Sequence, residues 1–196
     1  MPVVPPTAEK VDAVVAMLGG GENFFEFKAA PRWGLLTREV MAINMVMEGC
    51  KPEYALVVRA LIKAIAEPWF NLNGIQATTH MDSPLVIVNG PVAREIGMNG
   101  GVNPFGLGNR ANATIGRALR LIMFDVGGGW APDLGKCALG NPAKYSYCIA
   151  EIGAESPFAP HHVEQGCEGD STVVTIAADA PHVVSPIINA TIQRVS

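Results

Sequence analysis

The chain has 196 residues, enough for one domain of generous size with a substantial core. Hydrophobic residues make up 49% of it and charged residues only 16%, against about 25% in an average globular protein, which predicts that part of its surface is buried in a homo-oligomer or against a second subunit. A net charge of -4 without any Lys/Arg cluster speaks against nucleic acid and acidic membrane surfaces, and no apolar run reaches the length of a membrane span.

The first residues, Met1 to Pro6, lack the basic start and apolar core of a secretory signal. Four cysteines (Cys50, Cys137, Cys148, Cys167) are not a disulfide framework in a chain this long. A cytoplasmic location with reduced thiols is therefore expected.

In chain order, Thr7 is placed to cap a helix over Ala8–Leu18, ended by Gly19-Gly20-Gly21. Glu22 to Gly34 reads as a short strand and turn. Thr37 caps a second helix running to about Glu48, and Gly49-Cys50-Lys51-Pro52 makes a tight corner into a third, Glu53–Ala66, which ends before Pro68. The expected product is a helical hairpin with Cys50 at its bend. Beyond residue 70 the pattern changes. Gly74–Thr79 and Leu85–Val88 read as buried strands, and Asn89-Gly90-Pro91 turns the second into a helix, Val92–Ile96. A glycine- and asparagine-rich loop, Asn99 to Arg110, feeds a helix over Ala111–Val126 that stops at Gly127-Gly128-Gly129. Residues 127 to 143 form a long loop, of the kind that is more often functional than idle. Lys144–Ala150 and Thr172–Ala177 alternate as strands, 153–171 is irregular, and Ser185–Val195 reads as a strand or a frayed helix. No convincing repeat is present. The expected fold is a single α/β domain over residues 1–196: a small mixed sheet with flanking helices, and an N-terminal helical hairpin that makes residues 1–70 mainly helical.

Three groups of residues carry candidate chemistry. The first is the start of the Ala111 helix, where free N–H groups and the positive dipole end favour an anion. Arg110, Thr114 and Arg117 share one face there, opposite the apolar stripe Ile115, Ala118, Leu119, Ile122 and Val126. With Asn109 and Asn112 they form a candidate ligand site. The competing reading is a loop whose glycines supply positive φ and whose asparagines cap the helix, with no ligand. Nucleotide fingerprints are absent: no Gly-x-Gly-x-x-Gly follows a strand, and there is no Walker Lys-Ser/Thr.

The second candidate is Cys50, which precedes a helix N-terminus and adjoins Lys51, so its thiolate would be favoured and its pKa lowered. The plainer reading is a small buried hydrophobe at a helical corner. The third group holds His80, His161, His162, Glu151 and Glu164. His162 and Glu164 share a face if their segment is extended, and these types suit acid/base work or a mononuclear metal held by His80, His162 and Glu164. The spacing matches no zinc signature, and loop histidines bonded to carbonyls are the bland alternative. No specific cofactor is indicated. Cys148 reads as core, and Cys137 is too far from it in sequence for a Cys-x-x-Cys redox pair, though a loop folded back on Tyr145–Tyr147 would bring the two together.

Several long motifs resemble the UGSC family of (seleno)proteins: Met41-Ala-Ile-Asn-Met-Val-Met-Glu-Gly-Cys-Lys-Pro-Glu-Tyr54, Gly74-Ile-Gln-Ala-Thr-Thr-His80, Ile87-Val-Asn-Gly-Pro91, Asn109-Arg-Ala-Asn-Ala-Thr-Ile-Gly-Arg117, and Tyr147-Cys-Ile-Ala-Glu151 followed by His162-Val-Glu164. The resemblance spans about Gly34 to Val174. It departs at two points: the Sec/Cys-Gly-Ser-Cys motif that names the family is absent here, and longer members continue past the point where this chain ends. The resemblance thus implies one portion of the family architecture, such as one subunit of a split version, with thiol or selenol redox chemistry as its theme. It names no substrate. The leading expectation is an enzyme, or the substrate-binding subunit of a two-chain enzyme, acting on a small anionic molecule with catalytic candidates Cys50, His80, His162 and Glu164. Its rivals are a non-catalytic scaffold that completes a partner's fold and the mononuclear metal enzyme.

Overall fold

A computed structural model describes residues 3–19, 25–180 and 183–191. Helix α1 (Ala8–Leu18) turns Val11, Val14 and Leu18 inward and ends at Gly19, whose φ of 67° few other residues would tolerate. The strand and turn expected before residue 34 are a small antiparallel hairpin, β1 (Phe25–Ala29) and β2 (Gly34–Thr37). Helix α2 (Arg38–Met47) starts on the Thr37 side chain, which accepts from Val40 N–H at 3.2 Å. After the corner at Gly49–Pro52, α3 (Ala55–Ala66) buries Val57, Val58, Leu61, Ile62 and Ile65 on an uninterrupted apolar face. Both helices of this N-terminal pair pack against α1 and against the long helix described below.

The strand expected over Gly74–Thr79 is not formed. Asn71 adopts a left-handed conformation, accepts from Gly74 N–H at 3.2 Å and starts a short helix, α4 (Leu72–Gln76). This side-chain cap overrides a run whose β-branching alone favours a strand. The next strand, β3 (Ser83–Asn89), forms as expected with Val86 and Val88 buried, and it turns through Gly90 into α5 (Pro91–Glu95).

Helix α6 (Arg110–Asp125) follows the glycine loop and buries Ile115, Ala118, Leu119, Ile122 and Met123. Removing each of the larger apolar side chains from water is worth about 1.5–3 kcal/mol. Gly116 sits where α6 touches the sheet. A Cβ there would stand 2.5 Å from Ser146 Oγ and 3.1 Å from Cys148 Cβ, so only glycine lets helix and strand approach this closely. Strand β4 is confined to Cys148–Ala150 rather than beginning at Lys144, because Asn141 accepts from Ala143 N–H at 3.0 Å and folds Pro142–Lys144 into a single 3-10 turn. Residues 161–164 form one helical turn, α7 (His161–Glu164), rather than an extended segment; Glu151 caps it by accepting His161 N–H on both oxygens at 3.1 Å. Strands β5 (Val173–Ala180) and β6 (Val183–Thr191) close the fold. The end of the tail, residues 192–195, lies outside the described residues.

The larger sheet has the order β4-β3-β5-β6, with β3 and β4 parallel and the other pairings antiparallel. Helix α3 packs against β5 and β6, while α6 covers β4. The chain is thus an α/β fold with a small mixed sheet and flanking helices. The α6–β4 seam and the Gln76 corner position the site described next.

Candidate functional site

The start of α6 is self-contained. Asn109 caps it, accepting from Asn112 N–H at 2.9 Å and donating to the Gly97 carbonyl at 2.7 Å. Asn112 is buried. Its amide accepts from Asn99 N–H at 3.0 Å and donates to the carbonyls of Asn99 and Pro104 at 2.8 and 3.0 Å. Both asparagines therefore act as backbone substitutes that hold the glycine loop in shape.

The cations at this end serve α2. Arg110 Nε donates to the Gly49 carbonyl at 3.0 Å, on the negative end of α2. Thr114 Oγ1 donates to the Arg110 carbonyl at 2.8 Å, the ordinary back-bond of a helical threonine. Arg117 grips Glu48 with two contacts, Nε–Oε2 at 3.0 Å and Nη2–Oε1 at 3.1 Å, and Glu48 is nearly buried. The structure does bring Arg110 and Cys50 to one cavity of about 360 Å³, together with Glu9, Lys10 and Lys51, so its charged lining is of mixed sign.

Cys50 itself is buried, with Sγ donating to the Thr114 carbonyl at 3.3 Å. Burial pushes its thiol up to about 12, and the nearby Arg110 guanidinium does not reverse this. The expected thiolate at a helix N-terminus is therefore corrected: desolvation outweighs the Thr114 hydrogen bond and the Arg110 charge. Cys148 is raised for the same reason and is core, as its sequence context suggested.

The histidine group does not converge. His80 is exposed on a bend, 2.9 Å from Asp82 through Nδ1. His162 is buried in α7 with Nε2 3.4 Å from the Gly169 carbonyl, whereas Glu164 is exposed. Two positions apart on a helical turn, His162 and Glu164 point in different directions, contrary to the extended reading. Among the described residues no three His, Cys, Asp or Glu side chains are grouped to hold a metal, so His80, His162 and Glu164 form no centre.

The candidate set Arg110, Thr114 and Arg117 ends one helical turn short of Arg120 along α6. Arg120 lies three residues beyond Arg117 and shares its side of the helix, a spacing that was available as a signal. Arg117, Arg120, Leu121 and Phe124 of α6, with Gly140, Asn141, Lys144 and Tyr145 from the long loop, line a cleft of about 450 Å³. That is within the usual range for small-molecule sites.

Three other largely buried arginines each reach a carboxylate: Arg38 and Arg59 meet Glu26 at 2.8 and 3.2 Å, and Arg117 meets Glu48. Arg120 and Lys144 do not. Among the described residues neither has a carboxylate within 4.0 Å. Arg120 Nη1 reaches only the Gln76 amide oxygen, at 3.5 Å, and Lys144 Nζ only the His80 carbonyl, at 3.4 Å. Gln76 is itself pinned, its Nε2 donating to the carbonyls of Ala30 and Met123 at 3.0 and 2.9 Å. Burial lowers the pKa of Arg120; burial and then the Arg120 charge lower that of Lys144, against the pull of Cys137 and Asp82. The Arg120 charge thus disfavours the Lys144 ammonium, in a cleft also lined by apolar carbon from Leu121, Phe124 and Tyr145.

No protein-family model, no curated protein and no solved structure matches this chain.

Proposed function

We propose that the chain is the substrate-binding part of an enzyme, working alone or as one subunit of a two-chain assembly, and that it holds a small anionic molecule in the α6 cleft. One observation carries this reading: Arg120 and Lys144 line the same cleft, half-buried, with no carboxylate within 4.0 Å among the described residues. Such an arrangement costs free energy in the empty chain and is relieved when an anion enters. On this reading the redox step implied by the UGSC resemblance does not use Cys50 or Cys148, which are buried and held protonated.

Large apolar side chains left in water support the subunit form of the proposal. Trp69 is 81% exposed and Leu139 92%, and both would be covered in an assembly.

The test is calorimetric titration of the purified chain with benzoate and with phenyl phosphate. Binding is expected, and Arg120→Gln should weaken it by about ten- to a hundredfold, the loss of one or two hydrogen bonds to a charged group. Arg110→Gln should leave it unchanged. Equal losses in both variants, or no binding to the parent chain, would overturn the placement.

A further inference from the structure

Beside the cleft lies a smaller recess that shares Arg120 and Lys144 with it and is lined in addition by Ser83, Gly116 and Tyr147 among others. It has room of about 10 Å³, about one water molecule. Lys144 therefore stands at a junction. The residue lines the ligand cleft and also the water-sized recess, its Nζ donates to the His80 carbonyl at 3.4 Å, and the Arg120 charge acts on it. Ser83 Oγ, at the back of the recess, donates to the Ala143 carbonyl at 2.7 Å and keeps its lone pairs for a second partner. A lysine that served only as a counter-charge would need neither the second cavity nor the adjacent arginine.

We infer that Lys144 is a nucleophile that forms an imine with a carbonyl-bearing carboxylate, a 2-oxo acid with an apolar body, bound with its carboxylate on Arg120. This inference rests on the cleft being the ligand site.

The chemistry closes on the groups present. In a 2-oxo acid the carbonyl carbon is bonded directly to the carboxylate carbon, so a carboxylate on Arg120 holds that carbon in the cleft that Lys144 also lines. The lone pair of the neutral amine forms the C–N bond while the carbonyl π pair moves to oxygen. Nitrogen then gives up its two protons and the carbonyl oxygen departs with them as one water, leaving C=N. The recess is where that water fits. Arg120 both anchors the acid and keeps the amine neutral more of the time, which an amine nucleophile requires. Of the charged groups around Lys144, Arg120 pushes toward the neutral amine, whereas Asp82 and an ionised Cys137 push back.

The experiment uses the intact chain with phenylpyruvate and sodium cyanoborohydride near neutral pH, followed by peptide mass mapping. The reductant traps an imine as a stable secondary amine. The expected result is an adduct on Lys144 that forms faster than adducts on exposed Lys51 or Lys63, since burial and the Arg120 charge lower its pKa and free more of its amine. Benzoate should suppress it, and Arg120→Gln should slow it by removing the carboxylate anchor and the neighbouring charge, while burial still favours the neutral amine. Labelling of Lys144 no faster than Lys51 would overturn the inference, as would equal total labelling in Lys144→Arg. The two failures are separable. If benzoate binds and Lys144 is not labelled, the anion cleft stands and the imine falls; if benzoate does not bind and Lys144 is not labelled, both fall.

Discussion

The two halves of α6 carry the same kind of side chain and use it for opposite purposes. In the first half, Arg110 and Arg117 are spent on the end of α2, one on the Gly49 carbonyl and one on the Glu48 carboxylate. In the second half, Arg120 finds only an amide oxygen at 3.5 Å and stands near a second cation. A guanidinium at a helix start satisfies the general conditions for anion binding, yet those conditions are already met by the protein's own groups. Charge left without a counter-charge is the better mark of a site than charge alone.

The largest expected effect separates the halves by stability. Arg117→Ala strands the nearly buried Glu48 carboxylate and should cost about 3–5 kcal/mol, the usual penalty for breaking a buried pair. Arg120→Ala removes a cation that no carboxylate offsets and should change stability by no more than about 1 kcal/mol. Urea denaturation of the two variants measures the difference. Similar losses would mean that Arg120 is held as firmly as Arg117 and that the contrast is false.

The next effect concerns the corner thiol. Folded Cys50 keeps its proton up to about 12, while an unfolded thiol releases it near 9.0. Between those values the unfolded chain has lost a proton that the folded chain retains, so stability falls as pH rises, by about 1.4 kcal/mol per pH unit from this group. Cys50→Ser should remove that share of the alkaline slope. Lys144 acts in the opposite sense, because its lowered pKa makes folding more favourable as pH climbs toward 10.5. Iodoacetamide should accordingly modify the half-buried Cys137 and Cys167 well before Cys50. A fast-reacting Cys50 would restore the helix-terminus thiolate that burial argues against.

Sequence reading succeeded where local rules govern. The helix cap at Thr37, the stop before Pro68 and the apolar stripe of α6 from Ile115 to Ile122 are written in short spans, and each formed where expected. It failed where a side chain takes the place of backbone. Asn71 converts a β-branched run into α4, Asn141 shortens β4, and Glu151 caps α7, which splits His162 from Glu164. The site failed for a related reason. Whether an arginine is free depends on a carboxylate far away in the chain, and Glu48 is 69 residues from Arg117. Periodicity put Arg110, Thr114 and Arg117 on one face correctly, but no pattern in the sequence shows that α2 would be lying against that face.

The smallest effect tests whether the start of α6 has any part in binding. Asn109→Ala removes the cap acceptor for Asn112 N–H and should cost about 1 kcal/mol of stability. It should leave benzoate affinity untouched. Asn109→Asp asks the same question through charge. An anion seated at the helix start would be repelled by the new carboxylate at close range. An anion on Arg120 sits eleven positions along the helix, about 16 Å away at 1.5 Å per residue. That exceeds the screening length of about 8 Å at physiological ionic strength, so its affinity should hold constant. A drop in benzoate affinity in Asn109→Asp that disappears at high salt would return the ligand to the helix terminus and leave the Arg120–Lys144 cleft without a cargo.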